Sequence, residues 1–305
     1  MTPLTRFKQF LFKLWRRRGL SVGGAIALLI ALILYTVPTL QRPPRTDLQR
    51  DLFQGVQYDR TVLDSPRPLV IHTLTIDLTV PGVRLIVSPG DPDHPGQTRA
   101  ATTTDFLRQS RAQIAINGSY FYPFIENTPW DYFPHGGDRV YVLGEAIADG
   151  IPYAKPRTDW HPVCFGPTQR MQISADTTCP PDTTQALAGL PRLLISGTLP
   201  DRSANRKPYA RTIAATNATG TTLWLIIVDG KQPFYSTGMT LMEAGQWAQE
   251  LGATDAIALD GGGSATLAYE TPDGPKLLNA PIHTKIPMTE RTIANHIGIY
   301  TKPWD

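Results

Sequence analysis

The sequence predicts a strand-rich α+β fold, a single globular domain with a few helices, preceded by an N-terminal transmembrane helix. Short segments of alternating or continuous apolar residues, typical of strands, recur along the chain, and helical spacing is rare. The 28 prolines and 25 glycines indicate many turns and argue against a helical bundle. With 41% hydrophobic residues, the chain can bury a sizeable core.

The N-terminal forty residues differ in composition from the rest. Residues 1–19 carry six basic side chains and no acidic one. Residues 20–40 are nearly all apolar and uncharged, about the length that a helix needs to cross a bilayer. Basic residues before such a segment favour a cytoplasmic N-terminus and a periplasmic or extracellular domain. Since no small-x-small cleavage site follows, we expect a single-pass signal anchor rather than a cleaved signal peptide.

Charge and cysteine content exclude some function classes. Without the six N-terminal basic residues, the remaining 23 basic and 26 acidic side chains leave a net charge of −3. The main domain therefore has no basic footprint for nucleic acid. Cys164 and Cys179, the two cysteines, could form a disulfide in an exported domain or stay as two buried thiols. Neither lies in a zinc-type pattern.

The elements are predicted from apolar periodicity and from the turn residues between them. Residues 41–57 have two prolines and several charges, which is typical of a linker, so we expect the globular domain over 58–305. Alternation predicts a strand at 70–78, and residues 83–87 follow a Pro-Gly pair as its hairpin partner. The remaining predictions are a helix at 104–111; strands at 113–116, 139–143, 171–174 and 223–228; an amphipathic helix at 241–251, stopped by Gly252; and a last strand at 297–300.

The most informative motif runs from an apolar segment at 256–259 into Asp260, three glycines and Ser264. The apolar segment predicts a buried strand, which would hold Asp260 rigidly at its end. Glycines let the backbone approach a ligand closely, and successive N–H groups in such a turn can bind an anion. A glycine-rich turn, with Asp260 only holding the loop, is the alternative. The candidate anion-binding loop consists of Gly261, Gly262, Gly263 and Ser264.

Three further polar clusters follow or adjoin candidate strands. Taken singly, each has a structural explanation, because Asn-Gly and Asp-Gly are common turn pairs and an arginine can be a surface charge. Together with Asp260, they indicate one shared site. The clusters are Asn117-Gly118-Ser119-Tyr120-Phe121, Arg211-Thr212 and Asp229-Gly230.

Glu243 has two interpretations. Thr240 and Glu243 have the spacing of a capping box, in which each side chain accepts a hydrogen bond from the other residue's backbone. Glu243 is equally a candidate catalytic carboxylate, close to a helix N-terminus that favours an anion. No histidine or cysteine pattern has metal-ligand spacing, so no cofactor is evident. Asp229 and Asp260 could nevertheless share a divalent cation such as calcium.

The polar clusters belong to a series of six short motifs in a specific order. With them, the sequence resembles the phosphodiester glycosidase family from about residue 70 to residue 300, weakly so over 123–208. The motifs are AINGSYF at 115–121, ART at 210–212, IVDG at 227–230, GMTLME at 238–243, LDGGGSAT at 259–266 and ERTIANHIG at 290–298.

The resemblance implies hydrolysis of a sugar-1-phosphodiester, such as an N-acetylglucosamine-1-phosphate diester, at the glycosidic carbon. It implies that Arg211 and the backbone of the glycine loop contact phosphate, because arginine can donate two parallel hydrogen bonds to it. Asp260 is the first choice for nucleophile, base or oxocarbenium stabiliser, with Asp229 and Glu243 as rivals. Asn117 is expected to bind sugar hydroxyls or an acetamido group. The remaining implied substrate contacts are Gly118 and Asn295.

The main hypothesis is a membrane-anchored, exported hydrolase of the envelope or extracellular space. Its substrate would be a phosphate-linked glycan or a sugar-nucleotide-like molecule, and its membrane contact would be residues 20–40. The alternative is a non-catalytic glycan-binding or envelope-assembly protein that uses the same cleft without turnover.

Overall fold

In the computed structural model, residues 23–30, 32–201 and 207–303 are described, and the chain divides into two units, residues 1–42 and 43–305. In the first unit, helix α1 (Gly23–Leu40) is long and apolar enough to cross a membrane, as a signal sequence would also be. It lies within the span predicted over 20–40. The predicted basic tail at 1–19, and residues 20–22 and 31 of the predicted span, lie outside the described residues.

A seven-stranded antiparallel sheet is the largest sheet of the second unit. Along its most apolar strand, Leu225 and Ile227 pack into one apolar layer, and Ile226 packs into the layer on the opposite face. Both faces of this sheet are covered, which is why the strand is apolar on both sides. The strands in spatial order are β1 (Leu48–Phe53), β2 (Val56–Leu63), β3 (Leu69–Asp77), β18 (Thr222–Val228), β17 (Arg211–Thr216), β19 (Asp255–Leu259) and β16 (Arg192–Leu194).

Two five-stranded antiparallel sheets contribute to the main core, where Ile116 and Val163 pack in the same cluster as Leu225. The first has the order β21 (Lys276–Leu277), β20 (Leu267–Tyr269), β6 (Ile114–Asn117), β24 (His296–Tyr300) and β4 (Arg84–Val87). The second has the order β12 (Ile151–Ala154), β11 (Ala146–Ala148), β15 (Gln185–Gly189), β13 (His161–Phe165) and β14 (Met171–Ile173).

The other described strands form three small sheets. One sheet has three strands, and two hairpins have two strands each. They are β5 (Gln97–Arg99), β10 (Arg139–Val142) and β7 (Phe121–Tyr122); β8 (Ile125–Thr128) and β9 (Asp131–Phe133); and β22 (Ile282–His283) and β23 (Ile286–Pro287).

Helices cover the outer faces of two sheets. Helix α3 (Leu241–Glu250) packs on the seven-stranded sheet, begins at the predicted capping box and is followed by Gly252 at φ +92°. Helix α2 (Thr103–Ser110) packs on the β6 sheet through Phe106 and Leu107. The layers are therefore helix, sheet, sheet and helix, and the predicted strand-rich α+β class is confirmed.

One predicted pairing is wrong. Residues 83–87 were expected to pair with the strand at 70–78, but β4 pairs with β24 in another sheet. Strand β3 already has β2 on one edge and β18 on the other, so neither edge is free for β4. The closeness of the two segments in sequence favoured a hairpin, but both edges of β3 are occupied by other strands.

The seven-stranded sheet begins earlier than the predicted domain boundary. Residues 41–57 were expected to be a linker, whereas residues 48–53 form the edge strand β1, paired with β2. As an edge strand, β1 exposes the polar residues Gln49 and Asp51, which give it the composition of a linker.

The two cysteines, Cys164 and Cys179, form a disulfide across 15 positions of sequence. Closing a loop of this length restricts the unfolded chain and stabilises a fold by about 3 kcal/mol. We therefore expect the double variant Cys164→Ala/Cys179→Ala to lose about that much free energy of unfolding in urea titrations. A reductant should destabilise the parent and leave the double variant unchanged; equal urea midpoints for parent and variant would contradict the expectation.

Candidate functional site

A cavity of about 260 Å³ lies at one end of the seven-stranded sheet. Arg211 is the first residue of β17 and Asp260 follows the last residue of its antiparallel neighbour β19, with Thr212 opposite Leu259. Antiparallel neighbours bring the start of one strand beside the end of the next, so both side chains reach the same cavity. Its polar lining is formed by Tyr120, Tyr209, Arg211, Asp260, Arg291 and Glu126.

Asp260 is half-buried and has a specific hydrogen-bond donor. The hydroxyl of Ser264 donates to Asp260 Oδ2 at 2.6 Å. Burial raises the pKa of Asp260 to about 6, while the Ser264 hydrogen bond and the positive charge of Arg291 oppose the rise. Asp260 therefore changes its ionisation within the neutral range, as catalytic carboxylates commonly do.

Arg291 connects Asp260 to a second carboxylate, Glu126. Its Nη1 donates to Ser264 Oγ at 3.1 Å, and its Nη2 donates to Glu126 Oε2 at 2.6 Å. Burial acts to raise the pKa of Glu126, but contacts with His283, Arg291 and the Thr284 N–H outweigh it and hold the pKa at about 2. The cavity thus contains two carboxylates whose pKa values are well separated.

Arg211 brings a positive charge that has no carboxylate within ion-pair distance in the described part of the chain. Its Nε donates to the Met239 carbonyl at 3.0 Å, and its Nη2 donates to the Lys207 carbonyl at 3.3 Å. Burial lowers the pKa of Arg211 from its ordinary value. Its guanidinium lies 5.6 Å from the centre of the Tyr209 ring, and the Lys231 ammonium lies 4.5 Å from the same ring. These cations favour an anionic ligand.

The glycine loop is packed against the side chains of the site. A Cβ on Gly263 would lie 2.4 Å from Arg291 Nη2, and one on Gly262 would lie 2.8 Å from the Tyr209 hydroxyl. Gly262 also has φ +64°. The N–H of Gly262 donates to Ala210 and that of Ser264 to Gly261. The Gly261 N–H also donates to the Asp260 carboxylate. Since three of the four predicted anion-binding N–H groups are used within the chain, close approach is the main reason for these glycines.

Asn117 and Asn295 are fully buried and do not line the cavity. Asn117 Nδ2 donates to the Asp260 carbonyl at 2.6 Å, and its Oδ1 accepts from Thr212 Oγ1 and the Thr266 N–H. Asn295 Oδ1 accepts from the Ser119 N–H at 2.8 Å. The amide of Asn117, expected to bind sugar, is instead bonded within the protein.

Gly118 contributes through its lack of a side chain. A Cβ there would lie 2.5 Å from Asn295 Oδ1. The Gly118 N–H donates to the Asn295 carbonyl, and the Gly118 carbonyl accepts from the Asp260 N–H. Gly118 therefore links the backbone at Asn295 to the backbone at Asp260.

Asp229 lies in the protein interior, away from the lining of the cavity, although it follows β18 at the same end of the sheet. His72 Nε2 lies 2.9 Å from Asp229 Oδ2, and Tyr58 Oη lies 2.8 Å from His72 Nδ1. Asn279 Nδ2 and the Ala280 N–H donate to Asp229 Oδ1. These partners saturate the carboxylate, so its geometry fits a structural role rather than the expected catalytic one.

Glu243 performs the capping-box role. It accepts hydrogen bonds from the Thr240 N–H and Thr240 Oγ1, and its carboxylate also pairs with Arg67. Burial acts to raise its pKa, but the Thr240 and Arg67 contacts outweigh this and hold it below its ordinary value. Glu243 does not line the cavity.

A cation shared by Asp229 and Asp260 does not fit their surroundings. Asp229 is enclosed by protein donors, whereas Asp260 lines the cavity. Within the described residues, no group of three or more His, Cys, Asp or Glu side chains could together bind a metal ion.

Several cavity residues were missed from the sequence. Arg291 stands within a recognised motif, at 290–298, and its presence there was an available signal. Tyr209 directly precedes the ART motif. Glu126 lies in the weakly resembling middle segment, where no local pattern distinguishes it from a surface acid. Phe121, Phe124 and Gly261 complete the lining.

Comparison with protein families identifies one match. A model of the phosphodiester glycosidase family matches residues 110–300, which is more than half of the chain. No curated protein matches the chain.

Three solved structures share the fold. The zebrafish N-acetylglucosamine-1-phosphodiester alpha-N-acetylglucosaminidase catalytic domain, auto-inhibited by its pro-peptide, has a TM-score of 0.60 and 18% identity over 89% of this chain and 98% of its own. A hypothetical protein from Synechocystis has a TM-score of 0.59 and 16% identity over 86% of this chain, and the match spans 64% of that protein. A Burkholderia pseudomallei protein described as exported has a TM-score of 0.55 and 14% identity over 76% of this chain and 74% of its own.

The Ser264 hydroxyl stabilises the ionised form of Asp260, so its removal should raise the Asp260 pKa above 6. We expect Ser264→Ala to show this upward shift in a ¹³C NMR titration of aspartate-labelled protein, with Asp260→Asn identifying the signal. Ser119→Ala is the matched control, because the Ser119 hydroxyl is buried without a hydrogen-bond partner. An unchanged or lowered pKa in Ser264→Ala would contradict this assignment.

Proposed function

The chain belongs to the phosphodiester glycosidase family, and from this premise we propose that it hydrolyses a sugar-1-phosphodiester at the bond between the anomeric carbon and the phosphate oxygen. The observation that carries the proposal is the pairing, in one cavity, of the titratable carboxylate Asp260 with the cationic side chain of Arg211. Such a reaction needs charge compensation at phosphate and a carboxylate near the anomeric carbon.

Phosphate recognition is assigned to Arg211, which lines the cavity beside Asp260. The guanidinium of Arg211 has donors beyond those used on backbone carbonyls and no competing carboxylate in the described residues. Arg291 is a poorer candidate, because Glu126 and Ser264 occupy its donors. The positive charge of Arg211 offsets the repulsion between a phosphate beside it and the carboxylate of Asp260.

Asp260 is assigned the chemical step, in its ionised form. It would act as nucleophile, as base toward water, or as stabiliser of positive charge at the anomeric carbon. A phosphate ester is a good leaving group, so protonation of the departing oxygen matters less than for an ordinary glycoside. The rings of Tyr120, Phe121 and Phe124 line the cavity and offer apolar surface to a sugar face.

The proposed location is an exported domain on a membrane anchor. Helix α1 has the length and composition of a membrane span, and a disulfide favours an oxidising compartment such as the periplasm or the cell exterior. Phosphate-linked glycans of the envelope or extracellular space are the corresponding substrates. The name of the zebrafish enzyme makes N-acetylglucosamine the first sugar to test.

The hydrolysis test uses the full chain, purified in detergent, with N-acetylglucosamine-1-phospho-mannose and UDP-N-acetylglucosamine as donors. We expect the parent to release free sugar, detected by mass spectrometry. Asp260→Asn and Arg211→Ala should each lower kcat/KM by about 100-fold or more. The controls are Asp273→Asn and Arg108→Ala, which remove exposed charges away from the cavity.

Each alternative result has a defined meaning. Release that survives Asp260→Asn would remove Asp260 from the chemical step. Sugar binding without release, unchanged in Asp260→Asn, would support the glycan-binding alternative instead.

The pH dependence separates the roles of Asp260. Because its pKa is about 6, an ionised catalytic carboxylate predicts that kcat/KM falls about tenfold per pH unit below pH 6 and is level above it. Rates measured from pH 4 to pH 8 check this, with circular dichroism at each pH as the control for folding. A rate that rises as the pH drops through 6 would assign Asp260 as an acid.

A further inference from the structure

A second cavity, of about 550 Å³, adjoins the first and shares Glu126 with it. Its wall includes the hairpin β8–β9, with Trp130 at the turn, and the hairpin β22–β23, with Lys285 at the turn. Lys231 also lines it, and its ammonium packs on Tyr209, which lines the first cavity. A ligand can therefore extend from the first cavity into the second along Lys231.

The charge of the second cavity is positive. Neither Lys231 nor Lys285 has a carboxylate within ion-pair distance among the residues that the structure describes. The one carboxylate of the wall, Glu126, is already neutralised by Arg291 and accepts from the Thr284 N–H at 2.7 Å. The two ammonium groups are thus available for an anionic ligand.

Both lysines occupy a backbone conformation that lysine rarely adopts. Lys231 has φ +59°, and Thr284 and Lys285 have φ +50° and +65° at the two turn positions of their hairpin. Turns of this type strongly favour asparagine and glycine, which tolerate positive φ. Each lysine costs roughly 1 kcal/mol in this region. Keeping lysine at strained positions that line a cavity indicates that the side chains have a use there.

The rest of the wall suits a sugar or polyol. Trp130 is 83% exposed and lines the cavity together with Pro129 and Ile282. An exposed indole at a hairpin turn offers a flat apolar face on which a ring can stack. Apolar walls with a few polar groups are typical of small-molecule sites.

We propose that the second cavity binds the part of the substrate that follows the scissile phosphate, and that this part is itself a sugar phosphate or polyol phosphate. The inference rests on the proposed function and narrows it to a phosphodiester-linked polymer. A further phosphate lies between Lys231 and Lys285, and the sugar or polyol lies against Trp130. The first cavity, at about 260 Å³, accommodates a single sugar with its phosphate and leaves the continuation of the chain to the second.

The test compares two synthetic probes in the full chain carrying Asp260→Asn, which prevents turnover. One probe is the methyl diester of N-acetylglucosamine-1-phosphate; the other extends it by a second N-acetylglucosamine-1-phosphate unit. Isothermal titration should give at least about tenfold tighter binding of the two-phosphate probe. Lys285→Met should weaken that probe about fivefold and Trp130→Ala about tenfold, with less than twofold change for the one-phosphate probe.

Lys276→Met is the matched control, because Lys276 is an exposed lysine at another turn, paired with Asp273, and it should change neither affinity. Equal affinity of the Asp260→Asn chain for both probes would overturn the proposal, and so would its failure to bind either probe. Lys285→Met and Trp130→Ala would also overturn it if they weakened the binding of both probes equally or of neither.

Hydrolysis of the one-phosphate donor by the parent is measured separately and decides the proposed function. Loss of sugar release together with intact probe discrimination would leave the second cavity as a binding site. Sugar release without discrimination would overturn this inference alone.

Discussion

The side-chain amide of Asn117 joins the two principal sheets at the point where the cavity forms. Asn117 ends β6 of one sheet, while its partners, Thr212 Oγ1 and the Asp260 carbonyl, belong to strand β17 and the end of β19 of the other. A fully buried amide that lost these partners would cost several kcal/mol. The sheets therefore pack in a register that brings the Asp260 carbonyl to this amide. The position of the Asp260 carboxylate follows from that register.

The second constraint is electrostatic and passes through Arg291. Its buried guanidinium is satisfied by Ser264 on one side and Glu126 on the other, so Asp260 receives a nearby positive charge without a direct ion pair. Burial can then raise the pKa of Asp260 while the pKa of Glu126 stays low. A direct Arg291–Asp260 pair would keep Asp260 ionised at all working pH values and fill its oxygens. Because Arg291 contacts Ser264 and not Asp260 itself, the Asp260 carboxylate stays available to a ligand.

Much of the fold could be predicted from the sequence, because strands with covered faces are apolar and their ends carry polar residues. The convergence of Asp260 and Arg211 follows from such strand ends. Asp229 has the same local pattern, yet its partner His72 lies in a strand far away in sequence, and only the sheet reveals their pairing. Glu126 has no local signal at all, since its role depends on Arg291, which is also remote in sequence. Local patterns therefore predict where side chains emerge, but not which of them meet.

The three glycines illustrate the same limit. Their sequence predicts an anion-binding loop, because successive N–H groups can bind a phosphate. In the fold, Gly262 lies against the Tyr209 ring and Gly263 against the Arg291 guanidinium, at distances that exclude any Cβ. The loop is therefore packed closely against two large side chains that line the cavity. What the glycines supply is room for Tyr209 and Arg291 beside Asp260. In the function proposed above, the anion is therefore recognised by the cationic side chains around the loop and not by the loop backbone.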